Sequence, residues 1–144
     1  MKQHDLRVLL ALALFSGVQA AIGASDEYEA IEVPFAKTAN SLSYASKAVK
    51  LTLLDRHWNL DKETDTSIQA TLKRPDDSIS VTVLITFDIS KATISYVDSR
   101  LTGQRPVTGG AMTSKVDPFQ YRGWVNNLAK DLPVNVQRIH ILLN

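Results

Sequence analysis

The fold is decided by residues 67–99, which read SIQATLKRPDDSISVTVLITFDISKATISYVDS. Apolar and polar residues alternate in three runs: Ile68 to Lys73, Ile79 to Phe87, and Ala92 to Tyr96. This period of two is typical of strands that bury one face. Pro-Asp-Asp at 75–77 and Asp-Ile-Ser-Lys at 88–91 are turn signals between the runs. The stretch therefore predicts a three-stranded antiparallel meander with one buried face.

A helical pattern precedes the meander. Residues 41–56 carry apolar side chains at helical spacing, and Asn40 or Ser41 can cap the first turn. Before this helix, residues 21–40 form a mixed lead-in, in which the alternation from Ile31 is interrupted by Pro34. Such a segment suits a short edge strand or an extended arm.

A second helical pattern follows the meander. Asp117-Pro118 is a helix start signal, because Asp favours the N-cap and proline favours the first helical position. Residues 121–132 continue at helical spacing, and Pro133 is expected to end the helix. Beyond it, Val134–Asn144 alternates with a break in phase, which leaves strand and helix open and slightly favours a strand.

The predicted order of elements is α-β-β-β-α. Two amphipathic helices can cover the apolar face of one sheet, so the sequence predicts an α+β fold, a two-layer sandwich with a three-stranded antiparallel meander. A fourth strand is expected if the C-terminal segment pairs with the sheet. No linker divides the chain, so residues 41–144 are expected to form a single domain.

Composition excludes several classes of function. The chain has 144 residues, with 16 Lys plus Arg against 15 Asp plus Glu and a formal net charge of +1, which argues against a nucleic-acid partner. It contains no cysteine, so disulfides, thiolate metal sites and a cysteine nucleophile are excluded. Hydrophobic residues make up 44% of the chain, which is ordinary for a globular protein and argues against general disorder.

The N-terminus is typical of an export signal. Lys2 and Arg7 precede the apolar run VLLALALF at 8–15, and small residues lead to a candidate cleavage site after Ala20. The apolar run is too short to span a bilayer. Residues 1–20 are therefore predicted to be a signal peptide, and the mature chain is expected to be periplasmic or secreted, without a membrane span.

Several short motifs together resemble a known group of proteins. In chain order, they are Arg56-His57-Trp58, the strand sequence IQATL at 68–72, ISYVDS at 94–99, and Tyr121 followed by WVNNL at 124–128. This order resembles a family of small uncharacterised secreted proteins and lipoproteins of Gram-negative bacteria, which shows Arg-Gly-Trp, I-x-Y-x-D-S and Tyr-Asn-x-Trp-Val-x-x-Leu. The resemblance covers residues 45–132. It implies an envelope location and the α-β-β-β-α layout, and no particular activity.

The sequence also departs from that family pattern. Members commonly carry a lipid-bearing cysteine, which this chain lacks, and Ile-His before the helix tyrosine, where this chain has Asp117-Pro118. Arg122 stands in place of the asparagine after the tyrosine, and His57 stands in place of the glycine. A family site that used the missing histidine or asparagine would be absent here, and the position of His57 suggests no ligand role.

Catalytic and metal motifs are weak. Ser99, His57 and Asp98 contain the residue types of a hydrolytic triad, but no Gly-x-Ser-x-Gly turn accompanies them. The acidic residues at 61–65 resemble the start of a calcium loop, yet glycine and the final glutamate are missing. The glycines at 103 and 109–110 lack a phosphate-loop context. We therefore expect no cofactor and no bound metal.

The remaining candidates are polar and aromatic residues around a predicted long loop, Leu101–Lys115. Tyrosine and tryptophan favour interfaces when they are not in the core, and arginine can bind a carboxylate or phosphate. Trp58 and Trp124 are expected in the core. The candidate binding residues are Tyr96, Asp98, Ser99, Arg100, Arg105, Tyr121 and Arg122.

These observations favour an exported, non-enzymatic domain that binds an envelope protein or peptidoglycan. Exposed strand edges offer one route, because a partner strand can pair there. Two alternatives remain: a structural subunit of an envelope complex, and a small envelope hydrolase that uses Asp98, Ser99 and His57. The sequence does not predict an oligomeric state.

Overall fold

The structure is a computed structural model and describes residues 27–76, 78–101 and 115–144. These residues form two helices and a five-stranded sheet. The elements are β1 (Ile31–Pro34), α1 (Leu42–Asp55), β2 (Asn59–Glu63), β3 (Ser67–Lys73), β4 (Ile79–Phe87), β5 (Lys91–Leu101) and α2 (Pro118–Leu143).

The sheet is antiparallel throughout, in the order β1-β5-β4-β3-β2. The predicted meander is present as β3, β4 and β5. In its registers, Ala70 lies opposite Val83 and Ile85 lies opposite Ile94, so the apolar sides of the three strands coincide. One face of the sheet is buried beneath the helices, and the fold is the predicted α+β type.

Two edge strands extend the meander. The lead-in supplies β1, which pairs with β5 from Ile31 to Pro34, so the edge-strand alternative for this segment is confirmed. Apolar alternation does not predict β2, because all five of its residues are exposed. The prediction of three strands is therefore corrected to five.

The predicted C-terminal strand is wrong. Residues 134–143 continue α2 through Pro133, which lies inside the helix. An interior proline removes one backbone hydrogen bond and costs about 3 kcal/mol. Leu132, Val136 and Ile139 continue the buried side of the helix and offset this loss.

Side chains at the helix starts agree with the predictions. Ser41 is the N-cap of α1, and its Oγ accepts a hydrogen bond from the backbone N–H of Tyr44 at 3.3 Å. Asp117 caps α2 by accepting from the N–H of Phe119 at 2.9 Å. These caps fix where the helices begin on the sheet.

The two helices also share a buried polar contact. Asn135 Nδ2 donates to Thr52 Oγ1 at 2.8 Å, and Thr52 Oγ1 donates to the carbonyl of Ala48 at 2.8 Å. Both side chains are buried, so the pair satisfies polar groups that would otherwise destabilise the interface between α1 and α2.

The predicted signal peptide at 1–20 and residues 102–114 of the predicted long loop lie outside the described residues. Leu101 itself belongs to β5, and Lys115 precedes α2. Neither described helix is long and apolar enough to cross a membrane.

Candidate functional site

A bulge in β5 decides which of the predicted site residues meet. Thr82 of β4 pairs with Asp98, whereas the next residue, Val83, pairs with Tyr96. Val97 is therefore an extra residue in β5. An extra residue inverts the alternation beyond it, because side chains of a strand point to opposite faces in turn.

The inverted alternation places Tyr96 and Ser99 on the same, helix-covered side of the sheet. Ser99 lies opposite the buried Val81 and is itself buried, whereas Asp98 lies opposite Thr82 and is exposed. The hydroxyls of Tyr96 and Ser99 are hydrogen-bonded at 2.8 Å. Without the bulge, Asp98 would occupy the buried side and Ser99 the exposed one.

Two further tyrosines contact Tyr96, and we call Tyr28, Tyr96 and Tyr121 the tyrosine cluster. The rings of Tyr28 and Tyr96 are stacked, with centroids 4.1 Å apart. Tyr121 meets both rings edge-on at 5.4 Å. Pairs of this geometry add to the stability gained from burial, and here they join the lead-in, β5 and α2.

Hydrogen bonds attach the start of α2 to the tyrosine cluster. The backbone N–H of Val116 donates to Ser99 Oγ at 3.0 Å, and the Tyr28 hydroxyl donates to the Val116 carbonyl. Both polar backbone groups of Val116 are thus paired with side chains. This arrangement holds together β5, which ends at Leu101, and the segment that begins at Lys115.

Burial changes the acidity of the cluster. It raises the pKa of Tyr121 to about 12, with a further contribution from Tyr96. Burial also raises the pKa of Tyr28, assisted by Tyr96 and Glu27. Within the described part of the chain, the buried Tyr121 hydroxyl has no hydrogen-bond partner. These tyrosines are therefore neutral at physiological pH and act as packing groups.

The other predicted site residues do not join the tyrosine cluster. Asp98 and Arg100 are exposed and lie 3.9 Å apart as a weak ion pair. Arg122 is exposed on α2 and lines a cavity of about 210 Å³ beside Tyr121. Arg105 lies outside the described residues.

The hydrogen bonds of Ser99 do not support the hydrolytic set of Ser99, His57 and Asp98. Ser99 Oγ is hydrogen-bonded to the Tyr96 hydroxyl and accepts from the N–H of Val116, and neither partner is a histidine or a carboxylate. Asp98 projects from the opposite side of β5. A serine nucleophile requires a hydrogen bond to its base, which this Ser99 geometry does not supply.

A second surface begins at the end of α1. His57 has a φ of 64°, in the left-handed region that favours glycine. Its N–H donates to the carbonyl of Leu54 at 3.0 Å, and the N–H of Trp58 donates to Leu53 at 2.9 Å. These two bonds are those of a Schellman motif, which closes the helix and directs Trp58 into the core.

Trp58 is 2% exposed and forms the floor of a cavity of about 610 Å³, which we call the Trp124 groove. Trp124 of α2, which is half-buried, forms a side of it together with Leu72 of β3. Its lining residues come from the end of α1, the end of β3 and α2: Asp55, Arg56, His57, Trp58, Leu72, Lys73, Arg74, Pro75, Trp124 and Asn127.

Basic side chains outnumber acidic ones around the Trp124 groove. Arg56, Lys73 and Arg74 line it, against the single carboxylate of Asp55. Arg56 Nε is bound to Asp131 at 2.7 Å; this hydrogen bond raises the pKa of Arg56 and lowers that of Asp131. Asp55 faces Arg138 at 4.0 Å. Lys73 and Arg74 have no carboxylate within 4.0 Å among the described side chains.

The sequence singles out only some of the residues that line this groove. Trp58 is in the core as expected, whereas Trp124 is only half-buried and lines the cavity. Lys73 and Arg74 were missed as site residues, because in the sequence they are ordinary basic residues at the end of a strand. Their position just before the turn at Pro75 was the one available signal.

No family model matches the chain, and no curated protein matches its sequence. Among the residues that the structure describes, no three His, Asp or Glu side chains come together as a metal site. Two of the acidic residues at 61–65 are paired with protein side chains. Asp61 accepts a hydrogen bond from Thr71, and Glu63 forms an ion pair with Lys50 at 2.6 Å.

Proposed function

We propose that this protein is an exported, non-enzymatic binding domain of the bacterial envelope that engages a protein partner through the Trp124 groove. The observation that carries the proposal is the groove itself. It combines a half-buried tryptophan with two cations, Lys73 and Arg74, that form no ion pair within 4.0 Å with a described carboxylate. Tryptophan and arginine are the residue types that contribute most to binding at protein interfaces.

The structure of the sheet edges favours the groove over strand addition. The edge strand β2 carries Asp61, Lys62 and Glu63, and its register shifts between Leu60 and Lys62. The other edge strand, β1, ends in Pro34. Charged residues, bulges and proline are the features that discourage a partner strand from pairing at an edge.

The hydrogen bonds of Ser99 support a non-enzymatic role. Its Oγ is occupied by Tyr96 and Val116, and Asp98 lies on the other side of the strand. The envelope location is supported by the N-terminal sequence, with Lys2 and Arg7 before an apolar run and small residues up to Ala20.

A permanent structural subunit is the second candidate, and one observation favours it. Val134 and Ile141, two turns apart on α2, are 55% and 80% exposed, and Leu142 beside them is 68% exposed. A permanent partner would cover such an apolar surface. Sedimentation of the isolated protein distinguishes the candidates: a free-standing monomer favours the binding domain, whereas aggregation that a co-expressed partner relieves favours the subunit.

In-cell photo-crosslinking tests the proposed function. A photoreactive amino acid replaces Asn127, an exposed residue of the Trp124 groove, or, as a control, Lys62 on β2. We expect the protein in the periplasmic fraction, shortened by its signal peptide, and one protein adduct from position 127 that Lys73→Glu suppresses. Retention in the cytoplasm at full mass, or equal adducts from positions 127 and 62, would contradict the proposal.

A further inference from the structure

We infer that the Trp124 groove recognises an acidic peptide segment, in which a carboxylate side chain stands next to an apolar one. This inference rests on the proposed function and gives the chemistry of the site. It follows from the charges around the groove, from its apolar lining and from the helix end that it contains.

The charges that remain available in the groove are positive. Arg56 is neutralised by Asp131, and Asp55 by Arg138. Lys73 and Arg74 are left, both exposed and both at the end of β3. In a cavity with apolar walls, an arginine or lysine attracts a carboxylate more strongly than it does in open water.

The acidic residue nearest to Arg74 along the described chain is already engaged. Asp76 Oδ1 accepts hydrogen bonds from the N–H of Ser78 at 3.1 Å and from its hydroxyl at 2.7 Å. These bonds are the main reason why the pKa of Asp76 is lowered, and Arg74 contributes less. Asp76 attracts Arg74 without forming an ion pair with it, so the guanidinium of Arg74 can still bind an incoming carboxylate in the two-pronged geometry that arginine favours.

The apolar lining indicates a peptide rather than a lone anion. Trp124 and Leu72 are half-buried, and Pro75 borders the same space. A small anion would leave these side chains in contact with water. A peptide that carries a leucine or an aromatic residue beside its carboxylate would cover them and gain the free energy of apolar burial.

The position in the fold disfavours a phosphate. Phosphates are commonly bound at helix N-termini, where backbone N–H groups and the helix dipole favour negative charge. The Trp124 groove instead contains the C-terminus of α1, and the N–H groups of His57 and Trp58 are already used by the Schellman motif. The negative end of the α1 dipole opposes a doubly charged phosphate more strongly than a singly charged carboxylate.

A second cavity, of about 560 Å³, differs from the Trp124 groove in its charges and lining. It lies beside Lys47 and Lys50 and contains Glu63 and Asp65, so its opposite charges are balanced. Lys50 and Glu63 already form an ion pair at 2.6 Å, and no aromatic side chain lines the cavity. The combination of unneutralised cations with a tryptophan distinguishes the Trp124 groove from it.

Fluorescence anisotropy tests the inference with the protein as the exporting cell produces it. The probe is a short fluorescein-labelled peptide of alternating Glu and Leu, and the matched probe replaces Glu with Gln. We expect the Glu probe to bind at least about tenfold more tightly than the Gln probe, a difference of about 1.4 kcal/mol. We also expect the affinity to decrease as salt screens the charges.

Charge-reversal variants assign the binding to the groove. Arg74→Glu and Lys73→Glu should each lower the affinity for the Glu probe about tenfold or more. Lys62→Glu, the same charge change on exposed β2, should leave this affinity unchanged. Circular dichroism verifies that the variants fold. Equal affinities for the two probes, equal weakening by Lys62→Glu, or tighter binding of peptidoglycan fragments than of the Glu probe would overturn the inference.

The outcomes separate this inference from the proposed function. A cytoplasmic protein that binds the Glu probe through Arg74 would retain the ligand chemistry and refute the envelope role. An exported protein that crosslinks a partner from position 127 but does not distinguish the two probes would retain the envelope role and refute the acidic ligand.

Discussion

The tyrosine cluster and the Trp124 groove are both built from aromatic residues near the first half of α2, yet they differ in every property that decides function. In the cluster, three rings pack against one another, and hydrogen bonds tie the hydroxyls of Tyr28 and Tyr96 to neighbouring groups. In the groove, Trp124 borders open space together with Lys73 and Arg74. The cluster stabilises the contact between β5 and the start of α2, whereas the groove is a surface that can bind a ligand.

The comparison shows that residues predicted from the sequence to bind a ligand can be packed into the structure instead. The sequence pointed to Tyr96, Ser99 and Tyr121 as binding residues, and the structure brings these three together. Their burial and their hydrogen bonds assign them to holding β5 and the start of α2 in place. The surface that we propose for binding, the Trp124 groove, contains residues of the other quoted motifs, among them Trp58 and Trp124, together with Lys73 and Arg74, which belong to none.

The largest expected effect comes from removing the bulge beneath the cluster. Insertion of an alanine between Thr82 and Val83 of β4 would give Val97 a partner and restore regular alternation in β5, which would turn Ser99 outward and force Asp98 toward the core. Burial of a carboxylate together with the loss of the cluster should destabilise the protein by at least about 3 kcal/mol. Urea unfolding measures this. A loss below about 1 kcal/mol would mean that the bulge does not control the cluster.

A smaller effect separates two neighbouring residues of β5. Ser99→Ala leaves the buried N–H of Val116 without its acceptor and should cost about 1–3 kcal/mol. Asp98→Ala removes only an exposed, weakly paired carboxylate, and the change should lie within about 0.5 kcal/mol. The same urea experiment compares the two variants, and equal losses would contradict the assigned alternation.

At the edge of the Trp124 groove, His57→Gly should stabilise the protein. Glycine adopts the positive φ of this position without strain, and the Schellman hydrogen bonds use only the backbone. We expect a gain of about 1 kcal/mol in the free energy of unfolding, read as a higher melting temperature. A loss of stability would show that the imidazole makes a contribution of its own.

The remaining effect appears only at alkaline pH. Folding raises the pKa of Tyr121 from about 10 to about 12, so between these values the unfolded chain loses a proton that the folded chain keeps. Stability is therefore full below pH 10 and decreases as the pH rises toward 12. Absorbance at 295 nm against pH should show late ionisation, which Tyr121→Phe removes. Ionisation of every tyrosine near pH 10 in the folded protein would contradict the burial of Tyr121.

Local patterns in the sequence were sufficient for the central elements of the fold. Apolar alternation predicted β3 and β4, and the Asp117-Pro118 signal predicted the start of α2. Apolar alternation did not predict β2, because every residue of this strand is exposed. It also failed at Pro133, because tertiary burial of Val136 and Ile139 outweighs the local penalty of the proline.

The groove was harder to predict than the fold for a physical reason. Its lining residues come from α1, β3 and α2, and no two of these elements are consecutive in the chain. Lys73 and Arg74 become significant only because the sheet places them near Trp124. The bulge at Val97 was hidden as well, since a valine in a strand gives no sign that its neighbours change sides.

Nuclear magnetic resonance of the tryptophan side chains tests the central claim most directly. The chain has two tryptophans, and both line the Trp124 groove, so two indole N–H signals report on this surface. On addition of the Glu-Leu probe, we predict that the Trp124 signal shifts and that the backbone amide of Val116, in the tyrosine cluster, does not. A shift of Val116 with both indole signals unchanged would contradict the account and assign binding to the cluster.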